Sequence, residues 1–387
     1  MVEINRTWII GCPQSGCSID FDGIIAVNSS NQKVLSVITE PQMRITAGED
    51  GEIHALYSGP VRNGTLELKA SVIVETDYDT ALMEDPPIVR QNITSTPLIE
   101  WNADIAAKAD ELAEPGSTLG TLRNTAAWVH DNIEYDISYF EEKTDAKMVY
   151  VERRGVCVEY SHLLISMVNS LGIKTRYVNG YVVADDWQPH AWIEAYVPDY
   201  GWLPLDPTFN EAGVLDSSHV MVSYGYDQET DFDRLVANSD SATLERLPTK
   251  ITLISERSDP KGLSVTISFE NRTYTATTET RNGRADYVFA LYSFYPPEGY
   301  GSPTSELLLI SPHQSVNKNH PLDPTRFSEG YAYTLPMAAY ANDASDKKTA
   351  VLVMREEGSA GAGGETCVPA FILALALLGA VIKFTDE

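Results

Sequence analysis

The sequence predicts an α+β protein: a helix-and-strand core flanked by β domains, with a C-terminal hydrophobic anchor helix. Three observations predict it. The hydrophobic period turns from strand-like to helix-like near Asn102 and back to strand-like after Gly172. Helical patterns come first in that middle stretch and a run of strand-like segments follows them, which is the order of an α+β unit. Near the C-terminus, a linker of small residues leads into an apolar run, Val368 to Ile382, without a charged side chain.

Residues 1–98 read as a β-rich region. Glu67 to Val74 alternates in part and is rich in β-branched residues, with the turn signal Asn63-Gly64 before it. Pro86-Pro87 and Pro97 punctuate the exit. The core is expected over 99–245. Ala103 to Ala113 is Ala-rich and helical until Pro115-Gly116 stops it. Ser117 can cap the next helix, whose Leu119, Leu122, Ala126 and Val129 repeat at the spacing of a buried face. A further helix starts at Cys157, with Leu163, Leu164, Met167, Val168 and Leu171 on one face and Gly172 as its C-cap. Strands follow at Thr175–Ala184, His190–Val197 and Trp202–Asp206.

A second β region is expected over 246–356, as a β-sandwich-like domain. Its strands are Ile251–Ile254, Leu263–Phe269, Tyr287–Tyr292, Leu307–Ile310 and Ala350–Met354, divided by turn residues. Residues 357–366 form a Gly/Ala linker, and 367–384 read as a membrane anchor. The run is short beside the ~20 residues of a usual span. Lys383 lies on its far side, so the bulk of the chain is expected to be extracellular. Five Asn-x-Ser/Thr sequons, at Asn5, Asn28, Asn63, Asn92 and Asn271, are compatible with export.

A chain of 387 residues is long enough for two or three domains, and 43% hydrophobic residues suffice for large cores. The formal net charge of −27 argues against a nucleic-acid partner, which needs Lys and Arg to neutralise phosphates. Cysteines number four. Cys12 and Cys17 are spaced for a small disulfide loop or half a metal site, with no second pair to complete a zinc site. Cys367 adjoins the apolar run. No acidic loop of the EF-hand type is present, and neither a metal nor a cofactor is expected.

Cys157 is left without an obvious partner. A single cysteine at the head of a helix, with a histidine and an aspartate elsewhere, is a candidate nucleophile. Helix-end amides and a nearby imidazolium favour the thiolate. His190 opens one strand and Asp206 ends another. A hairpin can bring them side by side, as a base and the group that orients it. Taken separately, each residue has a plain structural reading: a buried thiol, a hydrogen-bonded histidine and an aspartate that opens a turn.

The segments around these residues resemble the transglutaminase-like superfamily, in particular microbial and archaeal proteins with a transglutaminase core. Arg154-Gly155-Val156-Cys157-Val158-Glu159-Tyr160-Ser161 is similar to the family's nucleophile motif, and Leu171 to Tyr181 to the segment that follows it. His190 to Pro198 and Gly201 to Thr208 are similar to its histidine and aspartate motifs. Trp128 to Tyr135 resembles the helix leading into the core, and Asp216-Ser217-Ser218-His219-Val220 the stretch after the aspartate. The resemblance covers about residues 101–225. It implies a papain-like core with Cys157 as nucleophile, His190 as base and Asp206 as orienter, acting on a protein or peptide substrate. Family enzymes often carry a further oxyanion donor upstream of the cysteine, for which Tyr150 is the candidate; His219 is open between a structural hydrogen bond at a turn and a catalytic part, with the first favoured. Hydrolysis of peptide or isopeptide amides is the expected reaction. Crosslinking of glutamine to lysine and a non-catalytic surface binding module are the alternatives.

Overall fold

In the computed structural model, the described residues are 1–13, 16–62, 64–78, 81–183, 186–213, 215–216, 218–230, 233–256, 262–355 and 382–383. The chain divides into two compact units, Met1–Asp259 and Pro260–Glu387.

The first unit begins with six strands: β1 (Val2–Gly11), β2 (Cys17–Val27), β3 (Gln32–Glu40), β4 (Arg44–Ala47), β5 (Glu52–Val61) and β6 (Thr65–Thr76). In β6 the alternation seen in the sequence buries Leu68, Ala70, Val72 and Val74 on one face. They meet Ile4, Trp8 and Ile10 of β1 and Ile19, Phe21 and Ile25 of β2 in one core. Trp8 packs edge-on to Phe21 at 5.2 Å and donates its indole N–H to Asp233 Oδ2 at 2.8 Å. Cys12 and Cys17 are joined by a disulfide.

The helical part follows: α1 (Ala103–Leu112), α2 (Thr118–Asn132), β7 (Glu134–Tyr135), α3 (Ala146–Glu152), β8 (Arg154–Gly155) and α4 (Cys157–Ser170). Ser117 caps α2 by accepting from Gly120 N at 2.7 Å, and Leu119, Leu122, Ala126 and Val129 are all buried. Helix α4 is buried on nearly every side because α1, α2 and α3 pack around it and the following strands cover the rest. A Schellman closure ends it: Gly172, at φ +83°, donates to Asn169 O at 2.9 Å and Ile173 N to Val168 O at 3.3 Å.

Five strands complete the core: β9 (Thr175–Val183), β10 (Trp187–Val197), β11 (Gly201–Asp206), β12 (Glu211–Ala212) and β13 (Val220–Gly225). They form an antiparallel sheet in the order β12-β11-β10-β9-β13. Gly180 of β9 sits opposite His190 of β10. A Cβ there would lie 2.2 Å from Val220 O and 2.5 Å from the Trp192 ring, so the strand must be bare at this point.

The chain then returns to the N-terminal strands. β14 (Asp233–Ala237) pairs with β2, while β15 (Thr243–Arg246) and β16 (Lys250–Leu253) pair with β1. Although the strand pattern from 246 onward points to the C-terminal β region, β16 adds to the first sheet, because its register against β1 sets Ile251 beside Ile4. The N-terminal strands also reach the core sheet directly. Gln32 Nε2 donates to Val27 O and Met221 O, and its Oε1 accepts from Met221 N, each at 2.8 Å.

The second unit contains β17 (Leu263–Glu270), β18 (Thr275–Asn282), β19 (Val288–Tyr295), β20 (Thr304–Ile310), β21 (Ser315–Pro321), β22 (Tyr331–Ala341) and β23 (Ala344–Met354). Its sheets run β17-β18-β21 and β20-β19-β22-β23. Val265 and Ile267 from one face Tyr292, Phe294, Leu308 and Met337 from the other across a shared core. Strands β18 and β21 escape a hydrophobicity scan because Thr, Glu, Asn and Lys fill them. The anchor helix expected over 367–384 lies outside the described residues, except for Ile382–Lys383. These two pair antiparallel with Tyr331–Ala332 and are extended rather than helical. Among the described residues no helix is long and apolar enough to cross a membrane.

Candidate active site

Cys157 occupies the first position of α4, straight after the short parallel pairing of Tyr135 with Gly155. Glu159 folds back over the helix start and accepts from Val156 N at 3.0 Å, occupying a backbone donor that would otherwise be orphaned. Gly155 is needed for this. A Cβ there would lie 2.2 Å from that of Glu159. Burial pushes the Glu159 carboxyl up to about 7, against the backbone hydrogen bonds that hold it down.

His190 points from β10 into the same place. Its Nε2 lies 2.6 Å from Asp206 Oδ2, and Cys157 is near enough to the same imidazole to raise its pKa; with Nε2 taken by the carboxylate, Nδ1 is the nitrogen left for the thiol. Phe209, at 5.2 Å, and Trp192, at 6.0 Å, flank the ring. Burial alone would lower the His190 pKa. The charge and hydrogen bond of Asp206, with a smaller contribution from Cys157, outweigh it and raise the value to about 9.

Asp206 ends β11 and is fully buried. Its Oδ1 accepts from Thr208 N at 2.7 Å and Phe209 N at 3.3 Å; its Oδ2 faces two histidines, His190 and, at 2.9 Å, His219. Burial would push this carboxyl up, but the two imidazoles dominate and hold it well below the usual carboxylate range. The turn after Asp206 is tethered from α2, where His130 Nδ1 lies 3.1 Å from Pro207 O and 3.2 Å from Thr208 O.

The structure thus brings Cys157, His190 and Asp206 together. It also draws in two histidines, His219 beside Asp206 and His130 behind the turn that follows it. Both lie within the family-like segments, which is the signal the sequence offers for them. Tyr150 stacks on Trp128 at 5.8 Å and carries the Arg153 guanidinium 4.3 Å above its ring. Tyr135 lies close enough to Cys157 and Asp206 to feel their charge.

His190, Asp206 and His219, and likewise Glu211, Asp216 and His219, present nitrogen and oxygen atoms within 4.8 Å of one another, close enough to consider a cation. In the first set, however, both imidazole nitrogens are spent on the shared carboxylate oxygen. The donors therefore satisfy each other as a hydrogen-bonded network.

A thiol at the head of a helix, packed against an antiparallel sheet that carries a buried imidazole and carboxylate, is consistent with a thiol-enzyme type of core. Residues 106–207 match the transglutaminase-like superfamily, and the chain carries a domain of that superfamily. An uncharacterized protein of Mycobacterium leprae is 27% identical over 186 residues, which is 46% of this chain and 64% of that protein. A protein-glutamine gamma-glutamyltransferase of Pseudomonas aeruginosa is 27% identical over 128 residues, 29% of this chain and 19% of that enzyme. The chain therefore spans less than two thirds of the length of each of these relatives. A solved structure described as a candidate cysteine protease from Cytophaga hutchinsonii aligns at a TM-score of 0.48 and 19% identity, covering 67% of this chain and 92% of that one.

Proposed function

We propose that the protein is a thiol-dependent acyltransferase that hydrolyses peptide or isopeptide amides of a protein substrate. The observation that carries this reading is His190, buried and shared between Cys157 and Asp206. In the proposed sequence His190 takes the thiol proton and the Cys157 sulfur attacks the carbonyl. The first-turn amides of α4, Cys157's own among them, stabilise the oxyanion. The amine leaves with the proton that His190 held. Water, deprotonated by His190, then attacks the thioester and releases the carboxylic acid and the thiol. Asp206 keeps the imidazole oriented throughout.

A second reading, transfer of the acyl group to a lysine amine, is supported by the similarity to the Pseudomonas enzyme and shares every step up to the thioester. We also propose that the site works outside the cell. The Cys12–Cys17 disulfide supports an oxidising compartment.

Alkylation of the full chain across pH, with Cys157→Ala and His190→Ala as controls, tests the reading. Cys157 should react rapidly at pH 6, and His190→Ala should slow it by at least about tenfold. Equal rates in wild type and His190→Ala would leave only a binding module. Glutamine-containing peptides, incubated with and without a fluorescent primary amine, then separate hydrolysis from transfer by whether the amine is incorporated.

A further inference from the structure

His219 stands outside the thiol-imidazole-carboxylate set, yet its surroundings are those of a working part. It is fully buried, and carboxylates face both of its ring nitrogens: Asp206 Oδ2 lies 2.9 Å from Nε2 and Asp216 Oδ1 lies 3.0 Å from Nδ1. A neutral imidazole has one N–H, whereas an ionised carboxylate only accepts. Both contacts are hydrogen bonds only if His219 is an imidazolium. Its ring centroid is 5.8 Å from that of His190, and the two rings share one carboxylate oxygen. Trp192 meets it edge-on at 5.2 Å, and the Tyr78 hydroxyl donates to its carbonyl at 3.2 Å, so the ring is held from both the core sheet and the N-terminal region.

We propose that His219 is a positioning residue: a fixed cation that clamps Asp206 in place and offsets part of its charge at His190, so that His190 holds its proton loosely enough to give it up. The proposal rests on the reading of Cys157 and His190 as nucleophile and base. An Asp206 that answered to His190 alone would lock the imidazolium and retard delivery of the proton to the leaving amine. A second cation on the same oxygen weakens that hold.

The charged and titratable groups around the two rings are Cys157 from α4, Asp206 from β11, Glu211 from β12, Asp216 from the turn before β13, and Tyr78 and Tyr135 from the segments that follow β6 and α2. Burial opposes a charged His219, but hydrogen bonds to Asp206 and Asp216 and the charges of Asp206 and Glu211 together raise it to about 10. The cation therefore persists through neutral pH.

The test compares wild type with His219→Gln, whose amide can still donate to Asp206 but carries no charge. Iodoacetate is drawn to a thiolate beside an imidazolium, whereas neutral iodoacetamide is not. The ratio of their rates at Cys157 therefore falls as His190 loses its proton. The midpoint of that fall is expected to rise by about one pH unit in His219→Gln. An unchanged or lowered midpoint, in a variant with wild-type circular dichroism, overturns the proposal while leaving the nucleophile and base intact. A wild-type protein that shows no preference for iodoacetate at any pH overturns the underlying reading, and this proposal with it. If His219→Gln does not fold, the ¹⁵N imidazole spectrum of wild type decides. Two protonated nitrogens on His219 at pH 8 support the proposal, and a neutral tautomer overturns it.

Discussion

The two sides of the nucleophile helix bury histidines in opposite ways. Beside the N-terminus of α4, His190 and His219 share Asp206 and are raised to about 9 and about 10. Within the helix, His162 is just as buried; among the described residues it meets Thr144 O at 3.3 Å and the ring of Tyr177 at 5.7 Å, and burial lowers it to about 4 against the weaker pull of Asp227, Asp145 and Glu229, none of which is hydrogen-bonded to it. The residue type and the degree of burial are the same. The presence of a hydrogen-bonded carboxylate decides whether the ring is a cation or a neutral spacer. A buried histidine is thus no sign of chemistry until its partners are known.

Converting the first environment toward the second should give the largest effect. Asp206→Asn keeps the shape of the side chain but removes the charge that holds both imidazolium ions. Turnover should fall on the order of 10³–10⁴-fold, and the iodoacetate preference of Cys157 near neutral pH should be lost. Activity within tenfold of wild type would show that Asp206 only supports the fold.

Stability should separate the two environments by the sign of its pH dependence. His162 has a folded-state pKa below the ordinary value of about 6.5, so its contribution is present above about 6.5 and is lost as pH falls toward about 4. His219 has a raised folded-state pKa, so its contribution is full below about 6.5 and is lost as pH rises through about 10. Glu159 and Glu211, both raised to about 7, also titrate in the folded protein, so the effects are best read as differences between proteins. Wild type minus His162→Asn should change by roughly 2–3 kcal/mol between pH 6.5 and 4, and wild type minus His219→Gln should fall on the alkaline side as pH rises toward about 10. Denaturant unfolding at a series of pH values measures both, and a difference of the same sign in the two pairs would break the comparison.

The smallest effect concerns the strand contact behind His190. Gly180→Ala places a methyl group against Val220 O and the Trp192 ring, neither of which can swing away freely. A loss of about 1–3 kcal/mol is expected. Unchanged thermal unfolding would mean that β9 and β13 separate without cost at this point.

Much of the core could be read along the chain because it is written in local patterns. Leu119, Leu122, Ala126 and Val129 repeat at helical spacing, Ser117 precedes them as a cap, and Gly172 follows α4 where only a left-handed residue closes the helix. Cys157 and Asp206 stand in short motifs at element ends, and His190 stands in a third motif three residues inside β10. The strands β18 and β21 were missed because their stability comes from ladder pairing and not from an apolar face. The place of β16 was missed for a related reason: four residues of strand pattern do not say which strand they will join.

The amino-acid sequence alone therefore determined the α+β core, the placement of α1, α2 and α4 but not of α3, and the three residues that could form a thiol site, since each depends on neighbours within a few turns or one strand. Only the tertiary structure decided that Asp206 serves two histidines, that His219 is wedged between two carboxylates, and that the strands after residue 233 return to β1 and β2. Those outcomes depend on distances between residues far apart in sequence, such as Tyr78 and His219 or Trp8 and Asp233. A charge in a buried site takes its value from everything packed around it, and that surrounding is assembled only when the chain has folded.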